Sequence, residues 1–104
     1  MKELTVQELK ELKETKANFQ LVDVREPAEY NTGNLDGELI PLQTIPQNLD
    51  KIHKDKKVVV HCKSGKRSAN AVQILEQHNF TNIYNLKGGI LAWRDEIDDS
   101  IDVL

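Results

Sequence analysis

The run Lys57–His61 places the tightest constraint on the fold, because three consecutive valines stand at its centre. Consecutive β-branched residues favour an extended strand that is buried in a sheet. Phe19–Val24 is a second short, mostly apolar run, of the kind that a buried parallel strand shows. Weaker strand signals stand at Leu39–Ile40 and at Asn82–Leu86, so the sequence predicts four short strands.

Helical segments alternate with these strands. Thr5 and Glu8 have the spacing of a capping box, in which each side chain bonds the other residue's backbone N–H at the start of a helix. The predicted helices are residues 5–15, a short one over 27–30 that Gly33 ends, one opened by Thr44 and Pro46 that presents Leu49 and Ile52, one over 66–78, and a last one that carries Ile90, Trp93 and Ile97. Strands separated by helices predict an α/β domain with a mainly parallel sheet.

Length and charge narrow the class of protein. The 104 residues fit one domain, which we expect to span residues 1–104. A net charge of −3 gives no reason to expect a nucleic-acid partner, and no stretch approaches the roughly 18 apolar residues of a membrane span. The single cysteine cannot form an internal disulfide, which fits a reducing compartment. Because the N-terminus lacks an apolar signal segment, we expect a soluble, cytoplasmic protein without membrane partners.

Basic residues are distributed unevenly along the chain. Seven of the fourteen lie between Lys51 and Arg67, against one acidic residue, Asp55. A charge run of this kind is most often a solvated face. The alternative is that its first part, Lys51–Lys57, forms a docking surface for an acidic carrier protein.

The segment after the central strand carries the clearest chemical signal. Cys62 stands at the end of that strand, Gly65 follows three residues later, and a helix is expected from about Lys66. This junction lies at the edge of a parallel sheet where ligand sites form, and a tight strand–helix loop turns backbone N–H groups inward to make an anion site. Those groups, together with the nearby cations Lys63, Lys66 and Arg67, favour a thiolate at Cys62, and the thiolate is the nucleophile.

A structural interpretation of each residue competes with the functional one. A cysteine without such surroundings is most often a small buried hydrophobe; the strand end, the glycine loop and the cations favour a reactive or anion-binding Cys62 instead. His61 precedes Cys62 on the strand, so its side chain points to the opposite face of the sheet. We therefore expect a structural role for His61.

Four stretches of the sequence resemble single-domain rhodaneses, in order and at the expected separations. They are Leu21–Glu26, Val59–Ser68, Asn82–Leu86 and Lys87–Trp93, the last containing Gly-Gly-Ile-x-Ala-Trp. The resemblance covers nearly the whole chain. It implies a five-stranded, mainly parallel sheet with helices on both faces, and a sulfurtransferase that needs no metal or organic cofactor.

The same resemblance implies a reaction in two steps. The Cys62 thiolate takes sulfane sulfur from a small anionic donor such as thiosulfate, and the persulfide passes it to cyanide, a thiol or a protein. Carried over by position, Cys62 is the catalytic residue; the substrate-binding loop is Lys63, Ser64, Gly65, Lys66 and Arg67; and the supporting residues are Asp23, Arg25 and Ser68. We expect Arg25 to pair with a carboxylate near the site, and Trp93 with Gly88–Gly89 to pack the final helix onto the sheet.

One segment departs from the pattern that the resemblance implies. The family tends to read Gly-His-Ile-x-Gly-Ala before an Ile-Pro element, whereas this chain has asparagine at Asn34 and glutamate at Glu38, and Gly33–Leu42 is one residue short. The departure changes the expected geometry of this loop and strand. It leaves the Cys62 loop untouched.

Two other functions are open at this point. A cysteine-dependent phosphatase or arsenate reductase has a similar loop, but such phosphatases place one residue more between the cysteine and the arginine than the four that separate Cys62 from Arg67. A rhodanese-like module that binds or regulates without catalysis is the other alternative. Such modules often lack the cysteine or its loop, and both are present here.

Overall fold

Five parallel strands form one sheet in the computed structural model, which describes residues 1–104. The strands are β1 (Lys2–Leu4), β2 (Phe19–Asp23), β3 (Glu38–Leu39), β4 (Lys57–His61) and β5 (Ile83–Leu86). Their order across the sheet is β1-β5-β4-β2-β3. Because every neighbouring pair is parallel, the carboxyl ends of all five strands meet at one edge of the sheet.

Three α-helices and two 3-10 segments connect the strands, and a fourth α-helix follows the last strand. The α-helices are α1 (Val6–Glu14), α2 (Pro27–Thr32), α3 (Lys66–Gln77) and α4 (Gly89–Glu96), and the 3-10 segments are Leu42–Gln47 and Leu49–Lys51. The predicted capping box is present at the start of α1, where the Glu8 N–H donates to Thr5 Oγ1 and the Thr5 N–H donates to Glu8 Oε1.

Successive side chains of β4 enter two different cores. Val58 and Val60 belong to the core beneath α3 and the 3-10 segments, whereas Val59 belongs to the core beneath α1 and α4. All three valines are fully buried, as the run of β-branched residues predicts for a strand covered on both faces. The expectation of a five-stranded parallel sheet with helices on both faces is therefore confirmed.

The first strand was not predicted from the residues. β1 has three residues, of which only Leu4 is buried, so it lacks the apolar run that marks the other strands. It forms because Lys2–Leu4 pairs in register with Tyr84–Leu86 of β5, immediately before the cap of α1. A pairing between two ends of a chain leaves no local signal in the sequence.

The predicted α-helix from Thr44 is wrong in type. The chain forms two 3-10 turns there instead, with Pro46 inside the first. The first turn begins earlier, at Leu42, and the Thr44 hydroxyl donates to the Pro41 carbonyl, so Thr44 does not cap a helix over the residues that follow it. The apolar positions still reach the core, since Ile45 and Ile52 are buried.

No helix is long and apolar enough to cross a bilayer.

Candidate active site

Cys62 follows the central strand β4, and the next three residues form a tight loop before α3. The side chain of Cys62 is 1% exposed. Gly65 ends the loop with a φ of 103°, in the left-handed region that glycine enters without steric cost. This conformation brings the Gly65 N–H to 3.1 Å from Cys62 Sγ, and the Ser68 N–H lies 3.4 Å from the same atom. The sulfur is thus held by backbone donors.

These donors change the acidity of the thiol. Burial raises the pKa of Cys62, but hydrogen bonds to the thiolate from the Ser68 hydroxyl, when it points at the sulfur, and from the backbone of Ser68, Gly65 and Ser64 outweigh this effect, so that the pKa lies below its usual value. Hydrogen bonds to the charged form stabilise a thiolate. The site therefore favours the nucleophilic form of Cys62, as the sequence predicts.

The start of α4 orients the loop from outside. The Ile90 N–H donates to the Cys62 carbonyl at 3.0 Å, and the Leu91 N–H donates to the Lys63 carbonyl at 3.1 Å. A peptide unit is planar and trans, so a carbonyl drawn toward α4 turns the following N–H away from it. A Cβ atom on Gly89 would stand 2.6 Å from the Cys62 carbonyl oxygen, so this approach requires glycine.

Gly89 therefore has a role that the sequence interpretation did not give it. The expected packing of Trp93 is present, since Trp93 is buried in the core beneath α1 and α4. Gly89 additionally permits the contact between α4 and the cysteine loop.

The three cations of the loop have different surroundings. Lys63 and Lys66 are exposed and donate no hydrogen bond to the sulfur. Arg67 instead forms two hydrogen bonds with Glu29 of α2, at 2.7 and 2.8 Å. Its guanidinium is therefore committed to a carboxylate and ties α2 to the start of α3.

Asp23 and Arg25 form a buried ion pair at the carboxyl end of β2. Both side chains are 0% exposed, and Arg25 Nη2 lies 2.8 Å from Asp23 Oδ2. The same nitrogen donates to the Gly33 carbonyl at 2.8 Å. The expectation that Arg25 pairs with a carboxylate agrees with this geometry, and the partner is Asp23. Neither side chain forms a hydrogen bond with Cys62.

His61 completes this buried polar group. It is the register partner of Asp23 across β2 and β4, and its Nε2 lies 3.5 Å from Asp23 Oδ2. Burial lowers the pKa of His61, against the attraction of Asp23, so the ring is neutral near pH 7. It contacts the Asp23 carboxylate rather than the thiol.

The segment that departs from the family pattern is closed by its own hydrogen bonds. The Asn34 side chain donates to the Tyr30 carbonyl and accepts from the Asp36 N–H. Asp36 has a φ of 63°, a conformation that aspartate tolerates better than most residues. The change at Asn34 is thus accommodated within the turn before β3, whereas Glu38 begins β3 and accepts a hydrogen bond from Gln20 Nε2 at 3.1 Å.

Two residues at the site were missed by the sequence interpretation. Glu29 holds Arg67, and Asn85 of β5 accepts a hydrogen bond from the Ser68 hydroxyl at 2.6 Å. A capping-box spacing marks Glu29, because its side chain also bonds the Glu26 N–H. Asn85 could have been found as a polar residue within an otherwise apolar strand.

The fold and the site together define a class of protein: a parallel α/β domain with a cysteine in an anion-binding loop between its central strand and the following helix. The chain belongs to the rhodanese-like domain family, whose model matches residues 5–96. That assignment agrees with the resemblance in the sequence.

Relatives of known name and structure support this assignment. Thiosulfate sulfurtransferase GlpE of Shewanella oneidensis is 33% identical over 90% of this chain and 93% of its own length. The protein YqhL of Bacillus subtilis is 43% identical, over 75% of this chain but only 63% of its own length. A rhodanese-like domain protein from Staphylococcus aureus has a crystal structure that covers 100% of this chain and 99% of its own, with 34% identity and a TM-score of 0.85.

The buried pair predicts a large effect of removing one charge. Asp23→Asn leaves Arg25 charged and without its partner in the interior, which costs about 3–5 kcal/mol of unfolding free energy. Urea denaturation measures the loss. The double variant Asp23→Asn/Arg25→Met should recover part of it, because no unpaired charge remains. A single variant within about 1 kcal/mol of the native protein would contradict the role of the pair.

The Glu29–Arg67 pair predicts a pH-dependent contribution to stability. Hydrogen bonds from Arg67 lower the pKa of Glu29 from 4.5 to about 2, against the opposing effect of burial. A lowered folded-state pKa adds stability that is complete above the unfolded value and is lost as the pH falls toward the folded one. Glu29→Gln should therefore cost roughly 1 kcal/mol at pH 7, and this difference should shrink between about pH 4.5 and 2.

The matched control for this change is Glu14→Gln, which breaks an exposed pair with Lys10. Urea denaturation of both variants across this pH range separates a site-specific pair from a general effect of charge. Equal losses of unfolding free energy in the two variants at every pH would show that the Glu29–Arg67 pair stabilises the fold no more than an exposed ion pair does.

Proposed function

We propose that the protein is a sulfurtransferase that carries sulfane sulfur as a persulfide on Cys62, with thiosulfate as one donor. The observation that carries the proposal is the set of backbone N–H groups around Cys62 Sγ, at 3.1 Å from Gly65 and 3.4 Å from Ser68. Membership of the rhodanese-like family and the printed name of the GlpE relative support it. The loop from Lys63 to Arg67 is the proposed binding site of the donor.

In the first step the Cys62 thiolate attacks the outer sulfur of thiosulfate. A bond forms between Cys62 Sγ and that sulfur, the bond between the two thiosulfate sulfurs breaks, and sulfite leaves with the electron pair. The product is a persulfide whose terminal sulfur carries the negative charge. Inward N–H groups and the α3 N-terminus stabilise such an anion.

In the second step an acceptor removes the outer sulfur. Cyanide attacks it, the persulfide S–S bond breaks, thiocyanate leaves, and Cys62 is again a thiolate. Because Cys62 is 1% exposed, the acceptor meets the outer sulfur, which lies about 2 Å beyond Sγ. A thiol or a protein acceptor would react at the same atom.

The phosphatase alternative is less well supported. Phosphoryl chemistry of this kind uses the arginine of the loop to hold the phosphate, in the bidentate manner that guanidinium favours. Here Arg67 already makes that bidentate contact with Glu29. The short Cys62–Arg67 spacing points in the same direction.

Intact mass spectrometry after incubation with thiosulfate tests the proposal directly. We expect the protein to gain one sulfur atom and to lose it on addition of cyanide, with release of thiocyanate. Cys62→Ser should gain nothing, because the chain has no other cysteine.

A negative result would have a clear meaning. No gain of sulfur with thiosulfate, mercaptopyruvate or glutathione persulfide would contradict the proposal and favour a binding module. Sulfur transfer by Cys62→Ser would contradict the persulfide mechanism.

The two exposed lysines of the loop should attract the anionic donor. The double variant Lys63→Ala/Lys66→Ala should raise the KM for thiosulfate several-fold with a smaller change in kcat, and the effect should weaken at high salt. The matched control is Lys54→Ala/Lys56→Ala, which removes the same charge near the start of β4, about 13 Å from the carboxyl edge at 3.3 Å per residue. Equal effects of both double variants would mean that only net charge matters.

This placement also bears on the acidic-carrier hypothesis for Lys51–Lys57. Those residues precede or begin β4, whereas Cys62 follows its end. Lys54 and Lys57 lie over the rings of Phe80 and Tyr84. A carrier protein bound at Lys51–Lys57 would have to extend along β4 to reach the persulfide, so the acidic-carrier hypothesis stays a separate prediction.

A further inference from the structure

A row of buried polar atoms runs from the thiol into the next strand. Cys62 Sγ lies 3.4 Å from the Ser68 hydroxyl, which lies 2.6 Å from Asn85 Oδ1. Asn85 stands on β5, opposite Val60 of β4. Ser68 is 0% exposed and Asn85 is 4% exposed, so bulk water does not compete for these groups.

The orientation of the Asn85 amide follows from its second partner. The Gly65 carbonyl accepts a hydrogen bond from Asn85 Nδ2 at 3.2 Å, and a carbonyl requires the NH₂ side of the amide. The oxygen of the amide must then face Ser68. An amide oxygen only accepts hydrogen bonds, so the Ser68 hydroxyl donates its proton to Asn85.

A hydroxyl has one proton, and the direction in which Ser68 points that proton favours either the neutral thiol or the thiolate of Cys62. While Ser68 donates to Asn85, it presents lone pairs to Cys62 and can only accept from a neutral S–H group. When the S–H proton leaves to solvent, the sulfur becomes an acceptor. The Ser68 O–H must then rotate from Asn85 to the sulfur if it is to bond the anion.

We propose that Asn85 is a positioning residue that acts on Cys62 through Ser68. Its amide oxygen competes with the anionic sulfur of Cys62 for the single proton of the Ser68 hydroxyl. The backbone donors from Gly65 and Ser68 are unaffected by this competition, because each N–H has a fixed direction. The hydroxyl is the one donor at the sulfur that can turn. Asn85 thereby opposes ionisation of Cys62, since rotation of the hydroxyl leaves a buried amide oxygen without a donor, which is costly.

The inference rests on the proposed role of Cys62 as the nucleophile, but its test does not require sulfur transfer. Thiolate ultraviolet absorbance is followed against pH in the native protein and in Asn85→Leu, Ser68→Ala and the double variant, with Cys62→Ser as the blank. Leucine has nearly the shape of asparagine and accepts no hydrogen bond, so it frees the Ser68 hydroxyl to bond the thiolate.

The expected results form a cycle. Asn85→Leu should lower the pKa of Cys62 and raise the acid dissociation constant about 3- to 10-fold, that is, by roughly 0.5–1 pH unit. In the Ser68→Ala background the same substitution should change the dissociation constant less than 2-fold, because the hydroxyl through which Asn85 acts is absent.

Two controls keep the test decisive. Asn82→Leu removes another asparagine that bonds backbone carbonyls, those of His53 and Lys56, and should leave the pKa of Cys62 unchanged. Asn85→Val also lacks the acceptor and suits a strand, so it replaces the leucine variant if the latter does not fold.

Three results would overturn the inference. The first is an unchanged pKa of Cys62 in Asn85→Leu, and the second is a raised pKa of Cys62 in that variant. The third is an equal shift of this pKa when Asn85→Leu is introduced with and without the Ser68 hydroxyl. A raised pKa, or an equal shift, would mean that Asn85 acts only by supporting the loop through Gly65. Absence of sulfur transfer by the native protein would contradict the proposed function. The titration cycle could still be interpreted, because it measures only the ionisation of the Cys62 thiol.

Discussion

The contact between Gly89 and the Cys62–Lys63 peptide is the constraint on which the rest of the site depends. The first N–H groups of α4 would otherwise need capping partners, and here they bind the carbonyls of Cys62 and Lys63. This contact gives the first N–H groups of α4 hydrogen-bond acceptors and points the carbonyls of the loop toward α4. Residues that are far from the thiol in sequence, including the core beneath α1 and α4, therefore determine which way the loop faces.

The sequence predicted those parts of the fold whose cause is local. The valines of β4, the Thr5–Glu8 box and the glycine after Cys62 each carry their own physical signal, and the corresponding elements are present. β1 was missed because its stability comes from pairing with β5. The segment after Thr44 was assigned the wrong helix type, because apolar spacing there does not distinguish an α-helix from successive 3-10 turns.

The same distinction applies to the site. Cys62 and its loop could be recognised because strand, glycine and helix start are adjacent in the chain. The partners of Arg67 and Ser68 could not, since Glu29 is 38 residues from Arg67 and Asn85 is 17 residues from Ser68. Charge count alone suggested that Arg67 was free to bind an anion. The carboxylate that occupies it is visible only once α2 and α3 are placed side by side.

The position of β4 in the strand order β1-β5-β4-β2-β3 has a consequence for chemical damage. Local opening begins at the poorly protected margins of a structure and reaches its centre last. Either outer strand, β1 or β3, can separate while β4 keeps both of its neighbours, β5 and β2, so fraying of the sheet does not release the cysteine. Hydrogen-exchange protection should accordingly be greatest along β4, and the buried thiol at its end should react with large oxidants only after the centre of the sheet has opened.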